Sequence, residues 1–344
     1  MALYVVKDVP RKAGRARAHA RRRVGVLLGL GCLVLAGSVA PPFVFTPAWA
    51  QKPGQERQKE AQPIAGPPRA LPAPRAHTVE PSASNRVRMY SATPRGLFVS
   101  NNSGQSWVSL PVERTREEVF SLAVHPTDPD VVVAGRRDGL WKTSDSGRTW
   151  IPLAYPTLGP YIPLAVAIAE SHPNVIYVAT AREGVYRSDD EGYRWANASK
   201  GLPEASAGGR PAEIRTLVVH PRNPDMAYIA HERHGIYRTT DGGATWHPFD
   251  KGLPPPAWRP TYSPRLAFDP GDPDRLYLVF AQPIHSQLVR NRLYVTSATG
   301  EWLPVEVDLP PNTTIVGLTI DPATRALHFW TQDAVLELPL SPKP

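Results

Sequence analysis

The chain has 344 residues, a formal net charge of +8, 40 prolines, 25 glycines and one cysteine. Eight of the 39 lysines and arginines, but one of the 31 acids, lie in residues 1–50, which leaves 31 basic and 30 acidic residues in 51–344. That near-neutral balance excludes general nucleic-acid binding. The lone Cys32 excludes disulfides, thiolate metal sites and a thiol nucleophile from the rest of the chain.

In chain order, Arg21-Arg22-Arg23 leads into an apolar run from Val24 to Ala40, and Ala48-Trp49-Ala50 precedes Gln51. A basic start, a hydrophobic middle and an A-x-A site make residues 1–50 a secretory signal cleaved after Ala50 or, if retained, a membrane anchor. The basic flank puts the remainder outside the membrane in both cases. The expectation is an exported, extracytoplasmic protein (periplasmic, cell-surface or secreted), membrane-associated if the leader stays. Cys32 sits mid-run behind Gly29-Leu30-Gly31, which is the wrong context for lipidation. Residues 51–80 are polar and then proline-rich, without hydrophobic periodicity, and read as a disordered linker.

Residues 81–344 read as a repeat domain. Gly139 through Trp150 (GLWKTSDSGRTW) aligns without gaps to Gly184 through Trp195 (GVYRSDDEGYRW) and Gly235 through Trp246 (GIYRTTDGGATW). Gly96 through Trp107 is a weaker copy, with Asn102 for the aspartate, and Arg292 through Trp302 a decayed one. Two strand-like runs precede each copy. The first is Ser121–Pro126 (SLAVHP), matched by Thr216–Pro221 (TLVVHP), Arg265–Pro270 (RLAFDP) and Gly317–Pro322 (GLTIDP). The second is Val131–Gly135, matched by runs at Val175, Met226 and Arg275. With a short strand after the tryptophan, each unit has four antiparallel strands and exposes two apolar faces until it is stacked. The fold class is all-β, a β-propeller of four-stranded blades. Units begin near Val87, Phe120, Leu164, Ile214, Pro264 and Val316, which gives six blades. The first and last look incomplete, so terminal strands are candidates to share a closing blade, and five or seven blades also fit.

In the box, Asp145, Asp190 and Asp241 accept turn amides, Gly147, Gly192 and Gly243 supply positive φ, and Trp150, Trp195 and Trp246 fill space between blades. These strings resemble Asp-box, or bacterial neuraminidase, repeats. The full unit is similar to sortilin-type and photosystem II assembly-factor-like propellers over residues 87–340. The resemblance implies a propeller and leaves function open, because the repeat serves glycosidases, receptors and assembly factors.

Function falls on the face opposite the boxes, where the loops vary. There Arg137, Arg182 and Arg233 sit two residues before their repeat glycines and Arg95 one before its own, a cationic ring suited to an anionic partner. The alternative is that each arginine pairs with its neighbouring acid, Asp138, Glu183 or Glu232. His234, Tyr161, Arg210 and Trp258 add recognition-type side chains on the same face. His231 and His234 share a loop without a third ligand, so no metal site is expected. No cofactor and no catalytic residue are assigned. Pro94-Arg95-Gly96 is not the Arg-Ile-Pro motif of sialidases. The expected function is binding of a protein or peptide, with assembly or stability of a membrane complex as one form of it. A sialidase-like glycoside hydrolase is the alternative.

Overall fold

The repeat alternates residues on two faces, and both faces must be covered, so burial is the first thing the structure explains. The computed structural model describes residues 62–63, 76–85, 87–110, 118–153, 162–181, 183–203, 214–231, 234–254, 262–285, 288–307, 309, 312–321, 325–331 and 335–340, with backbone alone at 62–63, 262–263, 282–285 and 288–289. All fall in the unit Glu56–Pro344. The leader is outside the described residues. Among those described, no helix is long and apolar enough to cross a membrane.

Among the described residues, twenty-four strands form six four-stranded antiparallel sheets. Blade one is β2 (Thr78–Pro81), β3 (Met89–Thr93), β4 (Gly96–Ser100) and β5 (Val108–Ser109). Blade two is β6 (Val119–Val124), β7 (Val132–Arg136), β8 (Gly139–Thr143) and β9 (Ile151–Pro152). β10 (Pro163–Ile168), β11 (Ile176–Thr180), β12 (Val185–Ser188) and β13 (Ala196–Asn197) make blade three. Blade four has β14 (Ile214–His220), β15 (Asn223–His231), β16 (Gly235–Thr239) and β17 (His247–Pro248). Blade five has β18 (Tyr262–Asp269), β19 (Asp272–His285), β20 (Leu288–Thr296) and β21 (Trp302–Val305). β22 (Ile315–Asp321), β23 (Ala326–Thr331) and β24 (Val335–Pro339) form blade six, whose fourth strand is β1 (Gln62–Pro63).

The ring therefore closes with an N-terminal strand completing the C-terminal blade. Gln62 pairs with Glu337 and Pro63 with Leu336. The shared closing blade inferred from the sequence is present, and the blade number is six. The stretch 51–80, read as linker, supplies two strands. β1 closes blade six, and β2 begins blade one in register with β3, Thr78 opposite Ala92 and Pro81 opposite Met89. Blade one thus starts at Thr78, not near Val87. A four-residue strand ending in proline carries too little alternation to stand out from proline-rich surroundings.

Second strands lie between two neighbours, and β3, β7 and β11 are buried along their whole length. Six apolar clusters fill the spaces between blades, each drawing on strands of adjacent sheets. Close packing also fixes Gly135 in β7. A Cβ there would lie 2.3 Å from Ser121 Oγ and 2.7 Å from the Pro163 carbonyl oxygen. Gly135→Ala is expected to cost about 1–3 kcal/mol, read as a lower urea midpoint with unchanged slope.

Candidate binding site at the channel mouth

The four-stranded order puts the first-to-second turns and the boxes on one face. The second-to-third loops and blade connections lie on the other, called upper here.

On the box face the side chains act as turn braces. Asp145 Oδ1 accepts the Thr149 amide at 2.8 Å, its Oδ2 accepts the Thr149 hydroxyl at 2.6 Å, and the Thr143 hydroxyl donates to Oδ1 at 2.8 Å. Asp241 repeats this with Thr245 and Thr239, and Asp190 with the Arg194 amide and Ser188. Asn102 makes the same bonds to Ser106 and Ser100 in the weaker copy. Gly147, Gly192 and Gly243 have φ of 84°, 93° and 88°. His125 and His220 each accept a turn amide two residues on, at 3.4 and 3.2 Å.

These bonds pull Asp145 and Asp241 down to about 2, chiefly through the Thr149 and Thr245 hydroxyls, and lower Asp190 through the Arg194 amide. A carboxylate depressed below its unfolded value stabilises the fold above about pH 4. That stability disappears as pH falls toward 2. Asp145→Ala is therefore expected to be less stable than the parent at neutral pH, with the gap narrowing in acid, as thermal melts along a pH series would show.

The upper face carries the candidate residues that the structure describes. Arg95 is exposed, and its amide donates to Thr93 Oγ1 at 3.0 Å. His234 is exposed and meets His231 edge to face at 4.7 Å between centroids. Among the described residues no three His, Cys, Asp or Glu side chains gather at metal-binding distance. Arg137 does not pair with Asp138. Arg136 takes that carboxylate at 3.0 Å, while Arg137 reaches Glu118 Oε2 at 3.4 Å and lies 5.6 Å from the Phe120 ring centroid. Arg182, Arg233, Tyr161, Arg210 and Trp258 lie outside the described residues.

Glu118 leads inward to groups that the sequence reading missed. Its Oε1 meets His77 Nε2 at 3.0 Å, and His77 stacks on Phe120. His77 lines a cavity of about 270 Å³ at the upper end of the channel together with Glu80, Arg215 and Arg265. Five first strands slip register near their starts: β18 between Tyr262 and Arg265, and four others between Val119 and Ser121, Pro163 and Ala165, Ile214 and Thr216, and Ile315 and Gly317. The extra residue in each of those four, Phe120, Leu164, Arg215 or Val316, lines this cup, as bulged residues at a rim commonly do. One level below, Leu122, Val166, Leu217, Leu266 and Leu318, with Glu80 among them, line both this cup and a lower cavity of about 700 Å³, forming a largely apolar waist.

Arg265 sits where four other blades carry Ser121, Ala165, Thr216 and Gly317. Its guanidinium passes blade six and donates from Nη2 to the His77 carbonyl of blade one, while its Nε is buried without a hydrogen-bond partner. Burial lowers Arg265 to about 10, with Glu80 opposing the shift and Arg215 adding to it. Burial raises the Glu80 carboxyl to about 7 against the Thr78 hydrogen bond and the Arg265 charge. It lowers His77 against Glu118. A carboxyl raised on folding binds its proton more tightly in the folded state, so its effect on stability becomes less favourable as pH rises from about 4.5 to 7. Glu80→Gln is accordingly expected to gain stability relative to the parent across that window. Paired melts along the pH series measure it.

The comparisons fit this architecture. The family model described as "Sortilin, neurotensin receptor 3" matches residues 183–306, from the third blade into the fifth. The vacuolar protein sorting/targeting protein 10 of Fusarium vanettenii is 30% identical over 114 residues, 33% of this chain and 7% of that protein. The probable oligoxyloglucan-reducing end-specific xyloglucanase of Neosartorya fischeri is 26% identical over 199 residues, 53% of this chain and 23% of that protein. The chain thus spans 7% and 23% of the length of these two relatives. Among solved structures, the GH74 enzyme of Niastella koreensis superposes with a TM-score of 0.60 at 18% identity, covering 79% of this chain and 42% of that one. At that identity the likeness is one of fold. The chain is a six-bladed β-propeller whose third to fifth blades resemble the sortilin type.

Proposed function

We propose that this chain is an extracytoplasmic propeller that binds a protein or peptide partner on its upper face, with the channel cup as the anchoring point. The observation that carries the reading is the charged constellation at one end of the channel. Arg137, Glu118 and His77 form a connected series leading inward to Arg215 and Arg265. Arg215 and a desolvated Arg265 above a largely apolar waist favour an anionic group projecting from a partner over a flat contact. The sortilin-type likeness and the vacuolar sorting relatives support a binding role over a catalytic one. The leader in residues 1–50 supports export, and a membrane complex in need of assembly or stabilisation is the partner that such an anchor would bring near.

The full chain in mild detergent, used as bait on solubilised membranes, tests this beside Arg137→Ala and Arg215→Gln. The reading expects one partner held by the parent and captured at least about tenfold less by folded variants. Equal capture by all three would remove the upper cations from the account.

A glycoside hydrolase reading draws on the xyloglucanase relative and on Glu80, whose raised carboxyl suits a general acid. Release of reducing ends from β-glucans or sialosides by the full chain, lost in Glu80→Gln, would favour it instead.

A further inference from the structure

The cup holds a guanidinium that the repeat does not require. At the Arg265 position the neighbouring blades carry small side chains, two of which, Ser121 and Thr216, are used to bond the carbonyl of the next blade. Arg265 instead projects past blade six, where Gly317 offers no side chain, and reaches blade one. Its Nη2 is taken by the His77 carbonyl and its Nε is buried without a protein partner, as are those of Arg88 and Arg325, so what sets Arg265 apart is its place in the cup. Arg215 brings a second guanidinium to the same space from the bulge of β14.

The counter-charge is Glu80. It lines the same cup, accepts the Thr78 hydroxyl at 3.0 Å and lies within electrostatic reach of Arg265. Among the described residues, the other charged or titratable groups facing this space are His77, with Glu118 and Arg137 behind it. Blades three and six contribute Leu164, Ala165, Val316 and Gly317, none of which titrates.

We propose that the cup is a site for a small carboxylate held by Arg265 and Arg215, and that Glu80 is a built-in competitor for Arg265, so that the ligand enters together with one proton. With Glu80 ionised, the cup already holds its own anion. With Glu80 protonated, Arg265 and Arg215 line a space of about 270 Å³, enough for one terminal group, without a fixed anion from Glu80. The raised Glu80 carboxyl puts the exchange near neutrality. The proposal deepens the binding reading by giving its anchor a ligand chemistry and a regulator, but it needs no partner protein.

Acetate is the probe, titrated into the full chain near pH 6 and near pH 8, with the melting temperature and calorimetric heat as readouts. A competitor with a pKa of about 7 makes acetate bind about tenfold more weakly at the higher pH, with proton uptake measurable from the buffer dependence of the heat. Glu80→Gln is expected to bind acetate equally at both pH values, and Arg265→Met to lose it. If Arg265→Met does not fold, Arg215→Gln tests the clamp, with acetate weakened at both pH values. N-acetylglycine separates the source of the carboxylate. A gain over acetate points to a polypeptide terminus, and no gain to a free acid. Acetate binding that ignores pH, a Glu80→Gln variant that keeps the pH dependence, or no acetate effect at either pH overturns the proposal. Loss of partner capture in the bait experiment, with acetate behaviour intact, would instead sink the partner reading alone.

Discussion

Trp246→Ala is expected to destabilise the protein by about 3–5 kcal/mol, while Trp150→Ala, at the same place in its own box, costs about 1–2 kcal/mol. The difference lies in what each ring meets. Trp246 is 2% exposed, belongs to the cluster between blades three and four with Tyr177, Val185 and Ile229, and donates from Nε1 to the Ala198 carbonyl of the preceding blade at 2.6 Å. Trp150 is half-buried and bonds back to Gly147 of its own turn at 3.2 Å. Removing Trp246 leaves a cavity across a blade interface and an unpaired carbonyl. Removing Trp150 exposes its turn and loses only part-buried packing against the cluster between blades one and two. Urea unfolding of both variants measures the contrast, and equal losses would show that the box, not the interface, sets the energy.

Gly201→Ala is expected to cost about 2–4 kcal/mol by a different route. After the fourth strand of blade three the chain reads Lys200-Gly201-Leu202-Pro203, and after that of blade four Lys251-Gly252-Leu253-Pro254. Each string latches the next blade, with Trp246 N bonding the Lys200 carbonyl and Trp302 N the Lys251 carbonyl, both at 2.9 Å. Gly201 has φ of 88°, where a side chain is strained. A Cβ there would also lie 2.4 Å from the Trp246 carbonyl oxygen, a backbone atom that cannot rotate away. Gly252 stands in the same relation to Trp302, at 2.3 Å and φ of 93°. The variant should melt well below the parent. A melt within a degree of it would mean that the latch adjusts freely.

The sequence made the blades legible because their determinants repeat in step. Asp145, Asp190 and Asp241 brace equivalent turns with equivalent bonds, so three copies report one geometry. β1 and β2 were hidden because two and four residues in proline-rich surroundings carry no periodic signal, and β1 gains its partner only from the far end of the chain. The site was harder to read for the opposite reason. A binding group is what breaks the repeat, and the eye follows what repeats, such as Arg137 and its counterparts. Arg265 was nevertheless visible as the one charged residue in a column otherwise holding Ser121, Thr216 and Gly317. Glu80 and His77 gave no such signal, since the strand at Thr78–Pro81 was not recognised, and the bond of Arg265 to His77 spans 188 positions of sequence.

The most direct test of the upper-face account is site-specific photocrosslinking from the full chain expressed in its own host cells. A photoreactive residue replaces either exposed Arg95, in the second-to-third loop of blade one, or exposed Asp128, in a first-to-second turn on the box face. The account predicts a discrete adduct to one partner from position 95, diminished by Arg215→Gln, and none from position 128. Adducts from position 128 with none from position 95 would contradict it, and would move the binding surface to the face of the boxes.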